Sequence, residues 1–226
     1  FIASAMSQTL GFGLATGGGV RMRLYGSSNV SRADVLRVTL VSGLAFWLGL
    51  AAACATALVV EPQMLAVFTG LPDAAARGMG IAAELLLAGY VAGRLVFPGS
   101  LRLAGFKLAL PDAGTSLLQL ILGAVDIAAT SGALWVLFPA VPGFDTGFFG
   151  FAGFAGLYAV LTVAGYVSHV PGGLGILEAG LLLLFPSISP DSLLASVLAF
   201  RFIYYVVPFS IAVALFALSE LRPHTA

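Results

Sequence analysis

The sequence predicts an all-α, polytopic membrane helix bundle with five or more spans, glycine-broken re-entrant segments and a weak internal repeat. Three observations carry this reading. Hydrophobic residues make up 60% of the 226 and charged residues only 9%, with a mean hydropathy of +1.06. A soluble domain carries about a quarter charged residues, so this chain lacks the polar groups to cover a surface facing water. Apolar runs of about 20 residues, the length that crosses a hydrocarbon core, recur along it. Finally, two apolar stretches are too short or too rich in glycine to cross, and broken backbone survives at membrane depth only where protein buries it or a wet cavity borders it.

Phe1 to about Ala15 reads as the tail of another element. Gly11 to Val20, GFGLATGGGV, holds too much glycine for a regular helix. Val38 to Val60 is the first span, entered at Ser31–Arg32–Ala33–Asp34 and left at Glu61–Pro62. Met79 to Phe97 is the second, with Glu84 and Arg94 towards its ends, so that Glu84 could reach the interface. Ala113 to Phe138 follows Pro111–Asp112 and carries Asp126 near its middle. Thr146 to Val167 is uncharged and has glycines at 147, 150, 153, 156 and 165, small residues that let helix backbones approach closely in lipid. Gly172 to Phe185, flanked by Pro171 and Pro186, is too short to cross and reads as re-entrant. Ser192 to Ser219 is the last span, interrupted by Arg201 and Pro208.

The two odd stretches suggest the repeat. Each has a glycine pair or triplet, a short segment, a turn with Ser and Asp, and a long span holding an aromatic pair, Phe46–Trp47 or Tyr204–Tyr205. Transporters are often built from such duplications, with the substrate site at the broken helices. Arginines 21, 23, 32, 37, 94 and 102 with Lys107 favour a cytoplasmic position for 17–34 and 98–112. With 172–185 entering from the cytoplasmic side, the C-terminus is expected outside.

Other chemistries find little support. Ten basic and ten acidic residues cancel, giving no sign of a nucleic-acid partner. Cys54 is the single cysteine, and no His/Glu spacing resembles a metal site, so neither metal nor cofactor is expected. Ser168 and His169 are adjacent, which seldom orients a base against a nucleophile. No signal peptide is visible. The chain starts at Phe1 within an apolar stretch and is expected to be a fragment of a longer protein.

A half-helix starting at a glycine turn offers unpaired N–H groups and a positive dipole end, which suit an anion. Pro171 is placed as a helix starter, and Gly172 and Gly173 permit close backbone approach. Arg21 and Arg23 have forked donors suited to phosphate. Together these are candidates for a phospholipid cradle; the plainer alternative is a tight turn beside arginines that mark topology. Glu178, Asp126, Glu84 and Arg201 fall within apolar segments, where a charge costs about 2.5–3.5 kcal/mol or more. Glu178 and Asp126 are candidates to face a partner or a wet cavity; should the cargo be a lipid with an extra lysyl group, as the resemblance given below implies, they would meet its ammonium groups. Arg201 is either a second phosphate contact or half of a structural ion pair, with Asp126 as one partner.

The stretch Ser168–His169–Val170–Pro171–Gly172–Gly173–Leu174–Gly175 through Glu178 resembles the transmembrane region of the bacterial lysylphosphatidylglycerol synthase/flippase (phosphatidylglycerol lysyltransferase, MprF) family. So do Leu10–Gly11–Phe12 with Thr16–Gly17–Gly18 and Arg21–Met22–Arg23–Leu24–Tyr25, Phe46–Trp47–Leu48–Gly49, Gln119 with Asp126, and Arg201–Phe202–Ile203–Tyr204–Tyr205 with Pro208. The resemblance implies translocation of aminoacylated (lysyl-) phosphatidylglycerol across the bacterial cytoplasmic membrane, and resistance to cationic antimicrobial peptides. It also implies that residues 1–226 are an N-terminally truncated translocation domain without the soluble aminoacyltransferase domain, so no transferase activity is expected of this fragment. The alternative is a membrane part that only anchors or feeds such an enzyme. The implied partner is the phospholipid; a homo-oligomer stays open.

Overall fold

The structure is a computed structural model that describes the chain except residues 11–12, 26–29, 64–69, 98–99, 104–105, 139–149 and 222–226, and except the side chains of 13–15, 100–103, 106–109 and 171. Nine α-helices are described: α1 Ile2–Leu10, α2 Gly13–Tyr25, α3 Arg32–Val60, α4 Asp73–Val96, α5 Ala113–Trp135, α6 Phe151–Val167, α7 Ile176–Leu184, α8 Pro190–Arg201 and α9 Val207–Leu221. A 3-10 turn, Pro171–Gly173, precedes α7, and a π-helical segment, Phe202–Val206, joins α8 to α9. Four helical stretches are long and apolar enough to cross a membrane, at Arg32–Val60, Asp73–Val96, Ala113–Trp135 and Pro190–Leu221; Phe151–Val167 is a shorter apolar helix. The expected fourth span, Thr146 to Val167, is thus described over 17 residues, its opening residues 146–149 lying outside the described part. One exception to all-α is a hairpin, β1 Ser100–Leu103 and β2 Phe106–Ala109, antiparallel with Arg102 opposite Lys107.

Two compact units are present. One holds residues 44–135 and 145–160, the other 1–43, 136–144 and 161–226. In the first, α3, α5 and α6 meet through small residues. A Cβ built on Gly123 would run into the carbonyl of Ala45, one on Gly49 into the backbone of Gly123, and one on Gly156 into the Ala57 side chain. Backbone-to-backbone contact of this kind drives helix association where lipid is as apolar as leucine. On α5 the buried face is polar as well as small: Ser116, Gln119, Gly123, Thr130 and Ser131. Gln119 Oε1 accepts from the Tyr90 hydroxyl at 3.3 Å, while Thr130 and Ser131 donate to the carbonyls of Asp126 and Ile127.

Asp112 starts α5 and accepts the Thr115 N–H at 2.8 Å. That bond holds its carboxyl below the usual carboxylate range. A carboxylate whose folded pKa is depressed stabilises the fold above its unfolded pKa of about 3.9 and loses that contribution as pH falls through the folded value. Asp112→Ala is therefore expected to speed amide exchange in the first turn of α5 at neutral pH. It should also flatten the acid-side pH dependence that the wild-type protein shows there.

In the second unit α1 is the hub, packing on α2, on α9, on the 3-10 turn and on the π-helical segment. It also corrects the expectation that 11–20 is not a regular helix: from Gly13 onward this stretch is α2. Each interior glycine costs about 1 kcal/mol of helix propensity, but Gly17 sits so close to Ser7 of α1 that an added Cβ would lie 3.2 Å from its hydroxyl. Packing against α1 decides the conformation; Gly11 and Phe12 lie outside the described residues. The Ser turns behave as read. Ser31 Oγ accepts the Asp34 N–H at 3.1 Å at the start of α3, and Ser189 precedes Pro190 at the start of α8.

Arg23 reaches Glu220 near the end of α9 through two bonds, 3.0 and 2.7 Å, and Arg21 donates to Thr39 near the start of α3 at 3.4 Å. The end of α9 therefore lies beside α2. The C-terminal residues 222–226, expected outside, fall beyond the described residues. From the glycine turn α7 leads to Phe185, which packs on Phe138. From there α8 and α9 run back.

Candidate functional site

Four residues singled out from the sequence come together in the second unit: Gly172, Gly173, Glu178 and Arg201. The backbone between Val167 and Ile176 is broken by left-handed residues, His169 (φ 56°), Gly172 (φ 60°), Gly173 (φ 58°) and Gly175 (φ 84°). Left-handed backbone costs a residue with a Cβ about 1–2 kcal/mol, which is why glycine holds three of these positions. Gly173 also abuts α6, since a Cβ there would lie 3.6 Å from Gly165 Cα. The Thr9 carbonyl of α1 is 3.7 Å from where a Cβ of Gly172 would stand. At Gly175 nothing lies within 4 Å of a built Cβ. Gly175→Ala and Gly173→Ala should each cost the backbone term, about 1–2 kcal/mol, since 3.6 Å is an ordinary contact distance; thermal unfolding in detergent can check this.

Pro171 does not start α7, contrary to expectation. It opens the 3-10 turn, and α7 begins five residues later because Gly172, Gly173 and Gly175 leave the right-handed region. Glu178 caps α7 instead, its Oε2 accepting the Gly175 N–H at 2.9 Å. The same carboxylate meets Arg201, whose Nε donates to Oε1 at 2.5 Å and Nη2 to Oε2 at 3.1 Å. Arg201 also donates from Nη1 to the Gly172 carbonyl at 2.8 Å and from Nη2 to the Gly173 carbonyl at 3.0 Å. The guanidinium is 9% exposed as a residue and stands 5.7 Å from the Tyr205 ring centroid.

The wide turn after Arg201 has a local cause. Pro208 cannot donate a backbone hydrogen bond, so the helix passes Phe202–Val206 in π form before resuming. Tyr204 stacks on Phe200 at 5.3 Å. π-turns are frequent at functional sites, and this one follows directly on the residue that clamps the glycine turn.

The remaining candidates lie apart from this cluster. Arg21 and Arg23 are on α2 of the same unit, engaged by Thr39 and Glu220. Asp126 is exposed at the middle of α5, in the other unit. Arg201 is taken up by Glu178, which also supplies the cap that its own helix needs. Glu84 was misread from the sequence. Because α4 begins at Asp73, Glu84 lies at its centre rather than near an end, with the Thr56 hydroxyl donating to Oε1 at 2.9 Å. The Pro72–Asp73 start was the available signal.

No family model matches the chain. It is 34% identical over 228 residues to a Synechocystis sp. protein named "Uncharacterized protein slr0712", covering 99% of this chain and 68% of that one. It is 28% identical over 232 residues to the "Inner membrane protein YbhN" of Escherichia coli, covering 97% and 68%. With four helices long and apolar enough to span, the chain is a membrane protein, and it belongs to the family of the Synechocystis slr0712 protein.

Proposed function

We propose that this chain is a lipid-translocating domain of the bacterial inner membrane that moves aminoacylated (lysyl-) phosphatidylglycerol between leaflets. Lowering the negative charge of the cell surface in this way would confer resistance to cationic antimicrobial peptides. The observation that carries the reading is the Glu178–Arg201 pair, held against a left-handed glycine turn within an apolar helical unit. Charges at such depth are expensive and mark substrate pathways. The motif resemblance to the lysylphosphatidylglycerol flippases includes every residue of that cluster, and one relative is named an inner membrane protein.

In this reading the lipid phosphate meets Arg21 and then Arg201, the ammonium meets Glu178, and the acyl tails stay in the bilayer. Arg23 is held by Glu220; Arg21, Gly172, Gly173, Glu178 and Arg201, with Asp126, are the residues proposed to handle the head group. The test is exposure of aminoacyl-lipid at the outer leaflet of cells that make it. Arg21→Ala and Glu178→Ala are expected to lower exposure with synthesis unchanged. Wild-type exposure in both variants would refute the cradle.

A further inference from the structure

We infer that α4 and α5 carry protons through the bilayer, with Glu84 and Asp126 as the groups that take them up and pass them on at mid-depth. Tyr90 meets Gln119, and Arg94 meets the Pro111 carbonyl. Residue numbers thus fall along α5 as they rise along α4, so the two helices are antiparallel. Six residues before Tyr90 is Glu84, and six beyond Gln119 is Val125, next to Asp126. The two carboxylates therefore stand at about the same depth, near the middle of helices long enough to span.

A carboxylate inside a span either pairs with a cation or belongs to an ion or proton pathway. Among the described residues the ion pairs are Arg23 with Glu220 and Arg201 with Glu178, so neither Glu84 nor Asp126 has such a partner. Arg94 is engaged by Pro111 at 3.0 Å, and Arg77 stands two turns from Glu84 toward the start of α4. The parts of α3 and α6 within this unit bear no charged residue. What α3 gives Glu84 is a neutral donor, the Thr56 hydroxyl at 2.9 Å. A divalent metal cation would need several more oxygens around it; a proton needs none.

A way through exists along α5. Its polar residues Ser116, Gln119, Asp126, Thr130 and Ser131 recur at steps of three, seven, four and one, which keeps them to one side of the helix. They run over about 22 Å, most of a hydrocarbon core of about 30 Å. All but Asp126 are buried, and the Tyr90 hydroxyl joins the line at Gln119. Ser116 is the independent sign that the line is wet. Its Oγ is enclosed and, among the described residues, has no hydrogen-bond partner, whereas Ser131 of the same helix donates to the carbonyl four residues back. A buried hydroxyl left unsatisfied is costly, and a bound water is the usual remedy. Hydroxyls, carboxylates and water in line are the parts of a proton relay. Asp126 also stands among the residues proposed for the head group, so Glu84 is the member that separates the two roles.

The test measures proton flow into sealed vesicles that hold the full-length protein and an internal pH-sensitive dye, with a potential set by potassium and valinomycin. Vesicles with and without lysyl-phosphatidylglycerol are compared, so that flow tied to lipid movement is seen as well. Wild-type protein should acidify the interior several-fold faster than protein-free vesicles in at least one mixture. Glu84→Gln and Asp126→Asn should each fall to the protein-free rate, and Glu84→Asp, which keeps a carboxyl, should recover part of the flow. Wild-type flow at the protein-free rate in both mixtures overturns the path, and so does undiminished flow in Glu84→Gln. Should Glu84→Gln fail to fold, Ser116→Ala decides: slower flow supports the path and unchanged flow contradicts it. Proton flow without lipid movement sinks the translocation reading alone. Lipid movement without proton flow sinks the proton path alone.

Discussion

Glu178→Ala is expected to destabilise the protein by about 3–5 kcal/mol, the usual consequence of removing one partner from a buried ion pair. Arg201 would keep its two carbonyl contacts but lose the opposite charge, at 9% exposure. The Gly175 N–H would lose its acceptor at the same time, uncapping α7. Glu178→Gln keeps the shape and part of the hydrogen bonding, so it should fall between wild type and Ala. The measurement is the thermal midpoint in detergent for the two variants. A wild-type midpoint for Glu178→Ala would mean that the pair is open to water and contributes little.

Gly123→Leu should cost at least as much as typical overpacking, about 3 kcal/mol. The first added carbon meets the carbonyl of Ala45, and backbone cannot step aside as a side chain can. The helices must separate, and with them the contact between Gly49 and Gly123. Gly89→Ala on α4 is the control, because nothing lies within 4 Å of a Cβ there. Better helix propensity should leave that variant neutral or slightly more stable. Thermal midpoints for the two variants give the comparison; a Gly123→Leu protein as stable as Gly89→Ala would contradict the close approach of α3 and α5.

How much of this was legible in the sequence depends on the range of the physics involved. Spans are local: run length and hydropathy located α5 and the α8–α9 stretch to within three residues at each end, but began α3 and α4 six residues late, at Val38 for Arg32 and Met79 for Asp73. A break at Gly172 and Gly173 was legible for the same reason, but its extent was not: Pro171 reads as a helix starter, whereas left-handed backbone through Gly175 moves the start of α7 to Ile176. Helix α2 was not legible, because its glycines are tolerated by contact with α1, an element whose place the sequence does not declare. Nor was the partner of Arg201. Asp126 was the partner that charge alone suggested, and Glu178 lies 23 residues away in sequence; the fold brings Glu178 within reach. The contact between Arg23 and Glu220 was not legible either, because 197 residues separate them.

The most direct test uses full-length protein in sealed vesicles that carry lysyl-phosphatidylglycerol only in the inner leaflet. A membrane-impermeant amine reagent then reports how fast the lipid reaches the outside. Labelling should be faster with wild-type protein than in protein-free vesicles, and should return to the protein-free rate with Glu178→Gln. Labelling at the protein-free rate with wild-type protein, or undiminished labelling with Glu178→Gln, would contradict a head-group pathway built on Glu178 and Arg201.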